Sequence, residues 1–167
     1  MIFNSPNFVD MTATKNEIIE NKTYDAERSL YNLTDATVRS CVFAGEADGE
    51  SVLKECRNVF VEGCSFSLRY PLWHASSYSL INYKMDSFTR APIWYSQKGR
   101  IENCELECIK CLRECDDTEI VDSKIVSEEF GWRCRGVKVE NSHIEGQYMF
   151  FESRDLELNN FSMKGKY

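Results

Sequence analysis

The feature that most restricts this chain is an eight-residue unit, clearest in Val137-Lys138-Val139-Glu140-Asn141-Ser142-His143-Ile144. It reads apolar, polar, apolar, polar, Asn, small, polar, apolar. The alternation describes a short strand whose side chains point to two faces in turn. Asn tolerates the left-handed conformation and bonds its own backbone, so the chain turns there. The small residue and the next apolar one begin a second strand at an angle to the first. One such unit buries almost nothing, so it needs copies to stack on.

Copies run along the whole chain. Upstream are Thr118 to Ile125, Gly99 to Leu106, Ile81 to Phe88, Val59 to Phe66, Ala36 to Phe43 and a faint first copy, Glu17 to Tyr24; downstream is Leu156 to Met163. They end at Tyr24, Phe43, Phe66, Phe88, Leu106, Ile125, Ile144 and Met163, in steps of 19, 23, 22, 18, 19, 19 and 19 residues by subtraction. A near-constant period of this size is the signature of a solenoid. One column holds Ile19, Val38, Val61, Tyr83, Ile101, Ile120, Val139 and Leu158, all apolar. The turn column holds Asn21, Ser40, Gly63, Met85, Asn103, Asp122, Asn141 and Asn160, and beside it runs a mostly small column containing Cys41, Cys64, Cys104, Ser123 and Ser142. No apolar rhythm of period 3.6 supplies a helix per repeat, which excludes a leucine-rich repeat. The pattern predicts an all-β right-handed parallel β-helix of about eight short coils, roughly 38 Å tall at ~4.8 Å per strand.

The chain has 167 residues, enough for one domain with a real core. Residues 1–15 match no coil and are expected to flank or cap the first one; residues 16–167 form a single β-helix domain. Two coils look longer, through Ala44 to Val52 and Ser67 to Tyr78, and extra residues in a solenoid emerge as loops. The chain stops directly after a coil, so the expectation is either a longer solenoid or association of a homo-oligomer through the open end.

Charge and cysteine content bound the function. A formal net charge of −7 argues against nucleic acid, which demands a cationic face. No apolar run is long enough for a transmembrane helix. Met1 to Asp10 shows no basic stretch followed by an apolar core, so no secretory signal is visible. The eight cysteines therefore read as reduced thiols, which fits a cytoplasmic location.

Two clusters carry chemistry. In Cys104-x3-Cys108-x2-Cys111-x3-Cys115 the spacing is dense enough for a thiolate-bound metal. However, Cys104 belongs to the small column, and Cys115 shares another column with Cys56 and Cys134. Packing explains both, since free Cys is a good small buried residue. No metal or cofactor is expected, and a Cys-ligated metal protein stands as the second alternative. The other cluster is a ladder. Lys54, Trp73, Trp94, Arg113, Trp132 and Phe151 fall at one position of successive coils, so all three tryptophans share a column. Four residues earlier come Glu50, Arg69, Arg90, Ile109, Glu128 and Gln147; Tyr70, Lys110, Glu129 and Tyr148 lie one further along. Sugars stack on aromatic faces and Arg forks hold carboxylates, so such a wall suits an acidic carbohydrate. Trp73, Trp94, Tyr95, Trp132, Tyr148 and Phe151 are the candidate binding residues. The competing reading is an internal aromatic stack edged by Arg–Glu pairs.

Several pieces of the sequence resemble a known family. Glu27-Arg28-Ser29-Leu30, Gly49 to Glu55, Arg69-Tyr70-Pro71-Leu72-Trp73, Arg90-Ala91-Pro92-Ile93-Trp94-Tyr95 and Gly165-Lys166-Tyr167 are similar to an uncharacterised bacterial family, a domain of unknown function. The resemblance covers about Glu17 to the end. It implies a pectin-lyase-like, single-stranded right-handed β-helix and no particular reaction; members of that family look longer than this chain. Related β-helix families mostly bind or cleave acidic polysaccharides, an analogy of fold alone. If the chain is an enzyme, the expected class is polysaccharide lyase or glycoside hydrolase. Arg90, Arg113, Glu128 and Glu129 are then the candidate catalytic residues, as an Arg base with carboxylates beside it. Asp116-Asp117 lacks the Asn-Thr-Asp and Gly-His-Gly elements that accompany such a pair in hydrolases of this fold. His143 reads as an exposed polar strand position, and His74 has no visible partner. No Ser-His-Asp or P-loop pattern is present. The alternative to a carbohydrate site is a structural or assembly module without catalytic activity.

Overall fold

Parallel strands, one stacked on the next, make up nearly the whole molecule. The computed structural model describes residues 17–166, so the expected N-terminal cap at 1–15 lies outside the described residues. One sheet of eight strands contains Glu17–Glu20, Thr34–Arg39, Arg57–Glu62, Ser76–Ile81, Gln97–Glu102, Asp116–Val121, Arg135–Glu140 and Arg154–Asn159, in chain order. The second sheet has nine, from Thr23–Tyr24 to Ser162–Gly165, in the same coil order. In the middle coils its strands Glu105–Arg113 and Lys124–Trp132 lengthen to nine residues and run on into a third wall. No α-helix occurs among the described residues, only a 3-10 turn at Ser87–Thr89, and no helix is long and apolar enough to cross a membrane. This is a parallel β-solenoid of about eight coils.

Strand pairing corrects the expected register in one place. Glu17 pairs with Ala36, Thr34 with Arg57, Arg57 with Ser76, Ser76 with Gln97, Gln97 with Asp116, Asp116 with Arg135 and Arg135 with Arg154. By subtraction the steps are 19, 23, 19, 21, 19, 19 and 19 residues. The fourth coil thus ends its unit on Met85, which pairs with Phe66 and Leu106, and not on Phe88. Phe88 is apolar but 69% exposed in the 3-10 turn, and that turn holds this coil's extra residues. The expected insertion in Ser67 to Tyr78 is accordingly absent, whereas the one in Ala44 to Val52 is present. In the true register the apolar column takes Leu80, the turn column takes Asn82, and Tyr83 fills the small column. Asn82 was the missing turn former.

Inward columns form the core. Val38, Val61, Leu80, Ile101, Ile120 and Val139 are all buried, each contributing about 1.5–3 kcal/mol by leaving water. In the first coils the core is aromatic: Tyr24, Phe43, Phe66 and Tyr83 stack with centroid separations of 5.5, 4.1 and 4.4 Å. Bulk in one coil is matched by its absence in the next. A Cβ at Gly99 would run into the Tyr78 ring, so only glycine fits beneath that tyrosine. The last described coil leaves Leu156, Leu158 and Met163 exposed.

The corners of the coil are left-handed. The expected Asn column has positive φ throughout, from Asn21 at 54° to Asn160 at 44°. Four further columns share this conformation, one of them through Arg28, Ser51 and Tyr70. Two of the others do so mostly without turn-forming residues: Leu53, Leu72, Ile93 and Leu112, with Gly131, in one, and Glu55, His74, Tyr95, Glu114 and Arg133, with Asn32, in the other. The last holds Asn58, Ser77, Lys98 and Asp117. Left-handed geometry costs L-residues roughly 1–2 kcal/mol each, so stacking must hold these positions open. Inward-pointing backbone N–H groups at the corners also need acceptors. Small side chains one coil on supply them: Cys104 N–H donates to Ser123 Oγ (3.1 Å), Ser123 N–H to Ser142 Oγ (3.0 Å) and Cys41 N–H to Cys64 Sγ (3.3 Å). This explains why Ser and Cys exchange freely in these columns: both are small and both accept.

Candidate functional site

The tryptophan column lies on the outside of the third wall. Backbone bonds fix its register. Glu55 N–H donates to Trp73 O, His74 to Trp94 O, Tyr95 to Arg113 O, Glu114 to Trp132 O and Arg133 to Phe151 O, all at 2.8–2.9 Å. Lys54, Trp73, Trp94, Arg113, Trp132 and Phe151 therefore align coil by coil, as the spacing predicted. The internal-stack reading fails for this column, because the core aromatics are Phe and Tyr on another side.

From Trp73 to Phe151 neighbouring side chains of the ladder pack on one another along the coil axis, face to face at Trp73–Trp94 and tilted by 42° at Trp132–Phe151. Trp73 and Trp94 stack with centroids 5.0 Å apart and planes 6° from parallel. Arg113 fills the next place, its guanidinium 5.0 Å from the Trp94 ring centre and 5.6 Å from that of Trp132. Trp132 and Phe151 follow at 5.0 Å. Indole N–H groups pin the rings to the wall: Trp73 donates to Ala91 O (2.7 Å) and Trp94 to Lys110 O (2.8 Å). The indoles are half-buried, so their free surface is edge more than face. Tyr95 stands edge-on to both Trp73 and Trp94 with 39% of its surface exposed, and Tyr148 and Phe151 are exposed too.

Charge divides this wall into two halves. In the later coils every cation beside the ladder meets carboxylate. Lys110 bridges Glu129 at 3.2 Å, and Arg133 bridges Glu152 at 2.7 Å and Glu114 at 3.8 Å. Arg113 reaches Glu114 at 3.9 Å. In the earlier coils Arg69 is bridged to Glu50 and Asp48, at 2.9 and 3.1 Å. Lys54 and the exposed Arg90, by contrast, have no carboxylate partner among the described residues. His74 stacks on Tyr95 at 5.0 Å. The four candidate catalytic residues share the wall, but no ion pair joins Arg90 or Arg113 to Glu128 or Glu129 among the described residues. Arg113 is a filler between indoles, Glu129 is engaged by Lys110, Glu128 is exposed, and Arg90 follows the 3-10 turn.

All eight cysteines are buried free thiols. Burial pushes Cys56 up to about 12, and Cys64 and Cys104 to about 11. Cys111 is raised first by its hydrogen bond with Cys108, and Cys115 by burial and then by Cys134, whose own thiol is lowered by that contact. The Cys104–Cys115 run is spread over different columns. Among the described residues no group of three or more His, Cys, Asp or Glu side chains is placed to hold a metal ion.

One cluster escaped the sequence pattern. His143 is not merely a solvated strand residue: its ring touches Ser162 on the next coil and Glu145 on its own strand. No linear motif shows this, since Ser162 is 19 residues away. A groove of about 700 Å³ opens beside it, along the corner marked by Asn82, Asn103, Asp122, Asn141 and Asn160. Amides along this corner bond in pairs, Asn103 Nδ2 to Asn82 Oδ1 (2.5 Å) and Asn160 Nδ2 to Asn141 Oδ1 (2.6 Å).

Comparison with known proteins adds a family and little else. No curated protein matches the chain. Among solved structures, a trypsin-treated variant of QnrB1, a plasmid-mediated fluoroquinolone resistance protein, aligns with 87% of this chain and 90% of its own at 12% identity. The TM-score is 0.28, too low to carry an argument about fold or function. A family model described as a protein of unknown function, DUF3737, matches residues 17–167, the span of every coil described above, and the chain belongs to that family.

Proposed function

We propose that this chain is a carbohydrate-recognition solenoid that holds an acidic polysaccharide against the earlier half of its aromatic wall. One observation carries the reading: an exposed Tyr95 beside the Trp73–Trp94 stack shares that half of the wall with two cations, Lys54 and Arg90, that have no carboxylate partner among the described residues. A sugar face packs on the tyrosine ring, and the Arg90 fork takes a uronate carboxylate. Hydrogen bonds to charged groups are worth about 1.5–3 kcal/mol, enough to fix the polymer's register. Short-range contacts must do this, because the net charge of −7 repels polyanions at a distance.

The same reading takes the coil as right-handed, the hand of about 98% of parallel crossovers, and of the pectin-lyase-like kind. Buried thiols with no disulfide favour a reducing compartment such as the cytoplasm. Calorimetric titration with oligogalacturonate tests the site. Arg90→Ala and Tyr95→Ala should each weaken binding about tenfold, equivalent to about 1.4 kcal/mol, while Trp132→Ala leaves it unchanged. Failure to bind any acidic glycan on an array would sink the proposal.

A further inference from the structure

Outward side chains of a parallel solenoid fall on a lattice. Neighbours are one coil apart in a column or two residues apart along a strand. At one place four polar residues fill a two-by-two patch of that lattice. His143 and Glu145 lie on the strand His143–Gly146, and Ser162 and Lys164 are their register partners on Ser162–Gly165. His143 Nδ1 is 2.5 Å from Ser162 Oγ, and its Nε2 is 2.9 Å from Glu145 Oε1. Glu145 Oε2 is 3.9 Å from Lys164 Nζ. Backbone bonds from His143 N–H to Ser123 O (3.0 Å) and from Ser162 N–H to Ser142 O (3.1 Å) hold both strands in place.

The carboxylate decides the tautomer. Glu145 can only accept, so Nε2 carries the proton, and the Nδ1 lone pair faces the Ser162 hydroxyl. A nucleophile, a base and an acid that orients the base are thus in hydrogen-bond contact, an arrangement recognised by geometry and not by chain order. The Glu145 carboxyl is held below the usual carboxylate range, first by the His143 hydrogen bond and then by Lys164, so it is ionised when the imidazole takes a proton. The corner groove gives a substrate access. Its lining includes both His143 and Ser162 together with the amides of Asn141 and Asn160. Such a lining suits a polyhydroxylated compound better than an apolar one.

We propose that Ser162, His143 and Glu145 form a nucleophilic site that hydrolyses short acyl esters of polyhydroxylated compounds. Ser162 Oγ attacks the ester carbonyl while its proton passes to His143 Nδ1. The carbon–oxygen bond to the alcohol breaks, and the leaving alkoxide takes that proton from His143. Water then attacks the acyl-serine, giving a proton to His143, and collapse returns it to Ser162 Oγ and releases the acid. The net change is ester plus water to acid plus alcohol. Glu145 is a positioning residue that also stabilises the transient imidazolium. Lys164, 3.9 Å from Glu145 Oε2, helps keep that carboxylate ionised. None of this uses the aromatic wall, so the two proposals stand or fall separately.

The test is labelling of the whole chain with a fluorophosphonate, which modifies activated serine hydroxyls, followed by peptide mass mapping. The modified peptide should carry Ser162. Ser162→Ala should remove the label with an unchanged thermal midpoint, and His143→Ala should slow labelling about 100-fold or more. Glu145→Gln should slow it about tenfold and move its pH profile to lower pH, because a neutral neighbour no longer favours the imidazolium. Ser162→Cys gives a second readout, as alkylation by iodoacetamide should depend on His143 in the same way. No label at Ser162, or equal rates with and without His143, would overturn the proposal.

Discussion

Two aromatic stacks run along this solenoid, one through it and one down its outside. The inner one, Tyr24–Phe43–Phe66–Tyr83, lies in the core of the first coils and is covered by its neighbours. The outer one, Trp73–Trp94–Arg113–Trp132–Phe151, keeps one edge in water and includes a cation. Both repeat at the strand spacing, so geometry alone does not distinguish their purposes. Surroundings do. The inner stack, three rings in one column and Tyr83 in the small column beside it, contains no charged side chain and serves cohesion. The outer stack is bordered by cations that all meet carboxylate in its later half. In its earlier half Lys54 and Arg90 meet none among the described residues. The two halves of the outer wall thus differ in charge compensation while sharing one geometry.

Stability measurements can break this distinction. Phe66→Ala removes the middle of the inner stack and should cost about 3–5 kcal/mol in chemical denaturation. A much smaller loss would mean that the inner aromatics are loosely packed. Alkaline pH probes the same core through its thiols. Cys56 is raised in the folded state, so its contribution is complete below the unfolded value near 9 and is lost as pH rises towards about 12. The slope is about 1.4 kcal/mol per pH unit for that thiol. Unfolding midpoints that stay flat between pH 9 and 11 would contradict its burial. Trp94→Ala on the outer stack should cost only about 1–3 kcal/mol, the sum of one ring stack and one cation–π contact near the surface. A loss as large as that of Phe66 would make the outer stack structural. The smallest effect belongs to Glu145. Its carboxyl is depressed in the folded state, so stability is gained above the unfolded carboxylate range and fades as pH falls through the folded value. Comparing acid unfolding of Glu145→Gln with the parent chain should show a slight loss of this dependence.

What was legible in the sequence is what repeats with a recognisable residue type. The Val-Lys-Val-Glu-Asn unit revealed the strands, the Asn corner and the alignment of Trp73, Trp94 and Trp132. The fourth coil misled because Phe88 mimics an inward apolar residue, whereas Tyr83 occupies a position that holds Cys or Ser in most other coils. Two of the left-handed columns were invisible because Leu72, His74 and Tyr95 are not turn formers; their conformation is imposed by the coils above and below. The Ser162–His143–Glu145 contact was hidden for a different reason. Its members are ordinary polar strand residues, and only a coil of 19 residues brings the serine beneath the histidine.

The left-handed corners have a consequence for how such a chain can change. Within a strand, deleting one residue would turn every later side chain from inside to outside until the next corner. At a corner an added residue simply bulges. Both departures from the 19-residue step fall between strands, the 23-residue one around Ala44–Gly49 and the 21-residue one at the Ser87–Thr89 turn. The corners act as punctuation in a text whose words cannot be respelled. Length is therefore free to vary by whole coils or by loops at these marks, while the rows of side chains between them stay in line.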